Sequence, residues 1–160
     1  MTDRSSVEYI RRRKEYMRDI YSNYWLDAGE RIYGFSEYDQ GLCKLLIAEC
    51  TEGRRILDGG CGTGYPFAGH MSDHGYSVCG IDIATNLLVK CKRSNPTIGV
   101  SVGDAENLCF EDSVFGLTYC FYSSWYFPRL MEAISEMVRV TRKGGSVVFD
   151  VQNALNFEIN

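Results

Sequence analysis

One stretch limits the possible folds more than any other: Arg55-Ile-Leu-Asp-Gly-Gly-Cys-Gly-Thr-Gly-Tyr-Pro-Phe-Ala-Gly-His70. Ile56 and Leu57 read as the end of a buried strand, with Asp58 at its carboxyl end. Gly60, Gly62 and Gly64 then make a tight turn. Lacking β-carbons, they let a ligand lie directly on the backbone. Pro66 opens a helix, where its fixed φ and missing N–H cost nothing. Strand, glycine turn and helix form the unit with which open α/β sheets hold a nucleotide-like ligand at the strand ends.

The chain after this stretch repeats the βα pattern. Its first helix carries Phe67, Met71 and His74 and ends near Gly75. Ser77–Ile81 reads as a second strand, with Asp82 at its end. A helix over Asn86–Ser94 is stopped by Asn95-Pro96. Ile98–Val102 is a third strand, followed by Gly103-Asp104, and Phe115–Phe121 a fourth. A helix over Arg129–Thr141 presents Ile134, Met137 and Val138 on one face. Lys143-Gly-Gly145 turns into a fifth strand, Ser146–Val151, with Asp150 near its end. Strict alternation predicts a three-layer α/β sandwich with a mainly parallel sheet. Right-handed crossovers place every strand's carboxyl end on one side. Asp58, Asp82, Asp104 and the stretch after Phe121 should therefore share one cleft. His70 and His74, at helical spacing, read as helix-surface or capping residues.

The first fifty-three residues read as a helical cover over a core spanning 54–160. Ser5-Ser-Val-Glu8 fits a capping box and starts a helix near residue 6. Ile10, Met17, Ile20, Tyr21 and Tyr24 form its apolar face, and Gly29 and Gly34 mark the break after it. The run Arg11-Arg-Arg-Lys14 reads as a solvated helix face. Ser36-Glu-Tyr-Asp39 starts a second helix, with Leu42, Leu45, Leu46 and Cys50 buried and Gly53 at its end. Tyr9, Tyr16, Tyr24, Trp25 and Tyr33 make this region rich in aromatics, as a lid over a small organic substrate or a helix packed on the body would be.

A net charge of −4 argues against a large nucleic-acid surface. No apolar run approaches the ~18–20 residues of a membrane span, and the polar N-terminus carries no signal-peptide core. Seven scattered cysteines without CxxC spacing read as reduced thiols of a cytoplasmic protein. With two histidines and no clustered ligand spacing, no metal is expected.

Two ligands compete for the glycine turn. A dinucleotide takes G-x-G-x-x-G with a pyrophosphate on the helix N-terminus. Here the spacing is Gly60-x-Gly62-x-Gly64 behind Asp58, and an acid is a poor neighbour for a pyrophosphate. It suits S-adenosylmethionine, whose sulfonium and ammonium are cationic. Asp82, about twenty residues after the turn, suits a ribose diol in either case.

At this point the sequence resembles a known family. Ile56-Leu-Asp-Gly-Gly-Cys-Gly-Thr-Gly64 is similar to the first motif of class I S-adenosylmethionine-dependent methyltransferases. Gly80-Ile-Asp-Ile83 resembles the segment whose acid holds the ribose. Gly103-Asp-Ala-Glu-Asn-Leu108, followed by Phe110-Glu-Asp-Ser113, resembles the adenine motif. Met137-Val-Arg-Val-Thr-Arg-Lys-Gly-Gly145 resembles the helix and turn before the fifth strand. The resemblance covers residues 54–151 and implies roles by position. Gly60, Cys61 and Gly62 would lie under the methionine part of the cofactor, with Asp58 organising the loop. Asp82 would take the ribose hydroxyls and Ile83 would pack on the adenine. Asp104 would accept from the adenine amino group, with Ala105 donating a backbone N–H. Cys120 and Phe121 would border the sulfonium. Trp125 and Tyr126 would face the substrate or cover the sheet's end. No catalytic base stands out.

The sheet order implied is 3-2-1-4-5. Only nine residues follow Val151, too few for the family's strands six and seven. Their absence would leave the fifth strand as an edge for a further segment or a second copy to cover. Gly116 replaces an Asp common in the family and should loosen a turn. Lys143 stands where Pro is usual. The function implied is methyl transfer to a small-molecule acceptor. The alternative is a catalytically silent cofactor-binding or regulatory subunit.

Overall fold

The computed structural model describes residues 6–32 and 34–151. Five parallel strands form one sheet in the order β3-β2-β1-β4-β5. They are β1 (Arg55–Gly59), β2 (Ser77–Asp82), β3 (Gly99–Val102), β4 (Phe115–Cys120) and β5 (Thr141–Phe149). The helices between them are α3 (Phe67–Asp73), α4 (Thr85–Ser94) and α5 (Leu130–Val140), preceded by α1 (Val7–Ile32) and α2 (Glu37–Glu49).

The two faces follow from strand periodicity, because neighbouring residues point to opposite sides. Ile56, Leu117, Tyr119 and Phe121 face one side and pack with Cys43 and Leu46 of α2, Phe67 and Met71 of α3, and Cys91 of α4. Leu57 and Ile81 face the other and meet Ala133 and Val140 of α5. The central strand β4 is buried along its whole length, as a strand covered on both faces must be.

Several boundaries depart from the sequence reading. The cap of α1 is Ser6, whose Oγ accepts from Tyr9 N at 3.2 Å; Ser5 lies outside the described residues. The helix continues through Gly29 to Ile32, since one glycine costs only about 1 kcal/mol inside a helix. Lys14 belongs to its inner face, while Arg11 and Arg12 pair with Glu8 on the exposed side. In α2, Ser36 and Asp39 form the expected capping box, but the helix ends at Cys50 and buries Cys43 rather than the exposed Leu45. In α5 the buried set is Ala133, Met137 and Val140, and Val138 is exposed. β5 starts at Thr141, five residues early. Phe115 pairs with Thr141 and Leu117 with Ser146, so residues 142–145 bulge opposite Gly116. His74 caps α3, and its Nδ1 lies 2.8 Å from the His70 carbonyl.

Candidate functional site

A cavity of about 670 Å³ opens at the carboxyl ends of the strands. Its floor is the loop after β1. The amides of Gly60 and Cys61 both donate to the Ile81 carbonyl, at 2.8 and 2.9 Å, and bind the loop to β2. Gly60 has φ +85°, and a β-carbon there would lie 2.7 Å from Ser123. Gly62, with φ +52°, would place one in ordinary contact with Leu87; its amide donates to Asp82 Oδ2 at 2.9 Å. The other oxygen of Asp82 accepts from Ala84 N at 2.8 Å, at the start of α4. Asp82 therefore ties the loop to the next helix and faces the cavity at once. Burial pushes its carboxyl above the ordinary range, against the pull of these amides.

Asp58 is buried, and Tyr119 Oη donates to its Oδ2 at 2.9 Å. Burial raises its pKa to about 7, and the Asp82 charge pushes the same way. The loop-organising part expected of Asp58 falls to Asp82. Cys61 borders the cavity, but its thiol points away, toward Gly80, where an added β-carbon would meet Sγ at 2.5 Å.

At the β3 end, Asp104 Oδ1 accepts from Glu106 N at 2.9 Å. Ile83 and Ala105 line the same end. Lys14 reaches from α1 to both Asp104 and Glu106. The Glu106 carboxylate is fully buried and also receives Arg129 through N and Nε, at 2.7 and 2.9 Å. Sequence reasoning assigned neither Lys14 nor Glu106 to the site.

At the β4 end, Phe121 lines the cavity, whereas Cys120 is fully buried in β4 and is not part of the wall. Tyr122 adopts φ +58°, the left-handed region that is costly for a residue with a β-carbon. Its amide donates to Asp150 Oδ2 at 2.9 Å and its hydroxyl to Asp39 Oδ1 at 2.6 Å. Asp39 Oδ2 accepts from Ser36 N and Oγ, so one carboxylate serves both the cap of α2 and the cavity wall. Trp125 and Tyr126 lie in a 3-10 turn, Ser124–Tyr126. Tyr126 meets Tyr21 of α1 at 4.5 Å between ring centres, and Trp125 lies 6.3 Å from Tyr122. Tyr24, Trp25 and Tyr33 have no described side chain. Among the described residues the structure thus brings together every cofactor position expected from the sequence except Cys120, together with Trp125 and Tyr126.

A protein-family model described as "Methyltransferase domain" matches residues 57–149, more than half of the chain. The chain belongs to this methyltransferase family. Its class is the class I S-adenosylmethionine-dependent methyltransferases. A malonyl-[acyl-carrier protein] O-methyltransferase of Buchnera aphidicola is 37% identical over 94 residues, 59% of this chain and 38% of that protein. A demethylmenaquinone methyltransferase of Beutenbergia cavernae is 34% identical over 96 residues, 60% of this chain and 40% of that protein. The methyltransferase chain thus matches less than half the length of these relatives. The solved structure of the [4+2]-cyclase SpnF superposes with a TM-score of 0.60 at 25% identity, over 74% of this chain and 48% of that one. The cofactor of the class is S-adenosylmethionine. The cavity suits such a cation with a ribose diol: around the glycine loop and the β3 end its described wall carries four carboxylates, Asp58, Asp82, Asp104 and Glu106, against one amine, Lys14.

Proposed function

We propose that this chain binds S-adenosylmethionine in the cavity and directs its methyl group to a small-molecule acceptor. The observation that carries this reading is Asp82, which holds the Gly62 amide while facing the same cavity as Asp104. When bound, the cofactor supplies an electrophilic methyl on a sulfonium, which an acceptor nucleophile attacks in line. The protein's own work is then orientation and exclusion of water. Gly60, Cys61 and Gly62 carry the methionine part on their backbone. Asp82 takes the ribose hydroxyls, and Ile83 lies against the adenine. Asp104 and the Ala105 amide hold the adenine edge, and Phe121 flanks the sulfonium. Trp125 and Tyr126 wall the acceptor side, and α1 with Tyr21 closes it from above. Of residues 1–53, the expected cover, α1 acts as the cover, while α2 packs into the core through Cys43 and Leu46. Relatives named for a malonyl carrier and for demethylmenaquinone support an acceptor other than nucleic acid.

The test is calorimetric titration with S-adenosylhomocysteine, with NAD as control. Micromolar binding of the first and none of the second is expected. Asp82→Ala should weaken it at least about a hundredfold, since two charge-assisted bonds of ~1.5–3 kcal/mol each are lost. Equal affinity of wild type and variant would sink the site assignment. Binding with no methyl transfer to any acceptor would favour the silent, regulatory reading.

A further inference from the structure

The cavity has a second polar end that the cofactor motifs do not use. The strand order places Asp104 and Glu106 at the β3 side and Tyr122 at the β4 side, where its hydroxyl meets Asp39 of α2 and its amide meets Asp150, with the glycine loop between the two ends. Asp39 is only 4% exposed. Its bonds to Ser36 and Tyr122 outweigh its burial and hold its carboxyl below the ordinary range, so it is ionised at neutral pH. Tyr122 keeps a left-handed backbone because Asp150 holds its amide and Asp39 its hydroxyl. Such outliers persist only where the surroundings over-determine them, and they cluster at functional sites. Around this carboxylate runs an aromatic wall: Phe67 lies 5.6 Å from Tyr122, and Trp125 lies 5.6 Å from Tyr126, whose ring meets that of Tyr21 at a tilt of 56°. The one amine in the described wall, Lys14, is at the far end and already bonded to two carboxylates.

Resting on the methyltransferase reading above, we propose that Asp39 and Tyr122 select the acceptor by charge. They admit an aromatic or apolar molecule whose nucleophile bears an N–H or O–H, and they reject a carboxylate. A donor group reaches Asp39 Oδ1 beside the Tyr122 hydroxyl, while aromatic faces attract a protonated amine. A carboxylate there meets Asp39 with no described cation to neutralise it.

The experiment compares three probes that share an indole ring: tryptamine, tryptophol and indole-3-acetate. Each is titrated into the chain saturated with S-adenosylhomocysteine. Tryptamine and tryptophol should bind at least about tenfold more tightly than indole-3-acetate, as a like charge within a few ångströms implies. Asp39→Asn should bring the three within about threefold of one another and leave S-adenosylhomocysteine affinity unchanged. Tyr122→Phe spares the cap of α2 and uncovers Oδ1, so the preference for tryptamine over indole-3-acetate should widen. Indole-3-acetate binding as tightly as the others, none of the three binding, or ratios unmoved in both variants would overturn the proposal. Failure of the wild type to hold S-adenosylhomocysteine overturns the cofactor reading instead. The probes are then titrated into the chain alone, where the same order is expected because the wall is already formed.

Discussion

Asp58 has a cost that the cofactor motif conceals. A carboxyl with its pKa raised from 3.8 to about 7 binds its proton more tightly in the folded chain than in the unfolded one. Its stabilising contribution is therefore complete below about pH 4 and lost as pH rises toward 7. That gap corresponds to up to about 4 kcal/mol. Asp82 is shifted the same way and adds to the effect. The ligand-free chain should melt roughly 5–10 °C lower at pH 8 than at pH 5. Asp58→Asn, which keeps an acceptor for Tyr119 Oη, should flatten most of that slope. Melting curves from pH 4 to 8 decide it, and a variant with the wild-type slope would rule Asp58 out as its source. At this scale the sequence showed the acids at strand ends but not their partners. Asp82's grip on Gly62 is a contact across twenty residues, and spacing alone does not reveal it. Cys120 shows the converse. Its neighbour Phe121 reaches the cavity while Cys120 turns into the sheet, an alternation set by where β4 stops. Asp39 was legible only as part of a helix start and Tyr122 only as the beginning of the stretch after Phe121, because their meeting spans 83 residues.

At the scale of elements, strand order and helix sequence were readable from alternation and turn residues, whereas helix faces slipped by about one position. In α2 and α5 the pattern offered more apolar residues than the sheet needs, so which of them turn inward depends on docking angle. The bulge before Ser146 was not legible at all. Gly116 was read as loosening a turn, and the structure gives the opposite reason for it. A β-carbon on Gly116 would lie 2.4 Å from the Glu52 carbonyl oxygen and 2.8 Å from that of Gly53, and one on Gly145 would lie 2.4 Å from the Gly116 carbonyl oxygen. Three backbone segments meet there, and only bare backbone fits. Backbone cannot rotate out of the way as a side chain can, so the penalty should reach the upper part of the ~1–3 kcal/mol usual for overpacking. Gly116→Ala should lower Tm by roughly 6–12 °C, and the larger Gly116→Asp should lower it further. An unchanged Tm in Gly116→Ala would show that the three segments can separate freely.

Across the whole molecule, α1 walls the cavity with Lys14, Met17 and Tyr21, and its described side chains have little apolar hold on the body. Of the residues of α1 with described side chains, only Met17 is buried. Among the described residues, the rest of its attachment is largely polar: Lys14 on Asp104 and Glu106, Asn86 Nδ2 on the Ser22 carbonyl, Lys90 Nζ on the Leu26 carbonyl at 3.1 Å, and the Tyr21 ring on Tyr126. A helix held this way opens at far lower cost than the sheet unfolds, and its opening would expose the cavity wall that Lys14, Met17 and Tyr21 form. Lys14 is the strongest of these ties, since it meets two carboxylates and Glu106 is shut off from water. Removing it does not strand Glu106, which keeps the N and Nε of Arg129. The loss should therefore appear as local opening rather than global unfolding. In Lys14→Met, amides of α1 should exchange with deuterium roughly tenfold faster, matching the ~1–2 kcal/mol of a part-buried ion pair whose partner stays satisfied. Amides of β1 and β4 should keep their wild-type rates, because their exchange requires the sheet itself to unfold. The same variant should release S-adenosylhomocysteine about tenfold faster, because a tie lost from the closed state appears in the off-rate. Faster exchange without faster release would mean that α1 covers the acceptor's path and not the cofactor's. Equal acceleration of α1 and the sheet would mean that the helix is part of the core and not a cover.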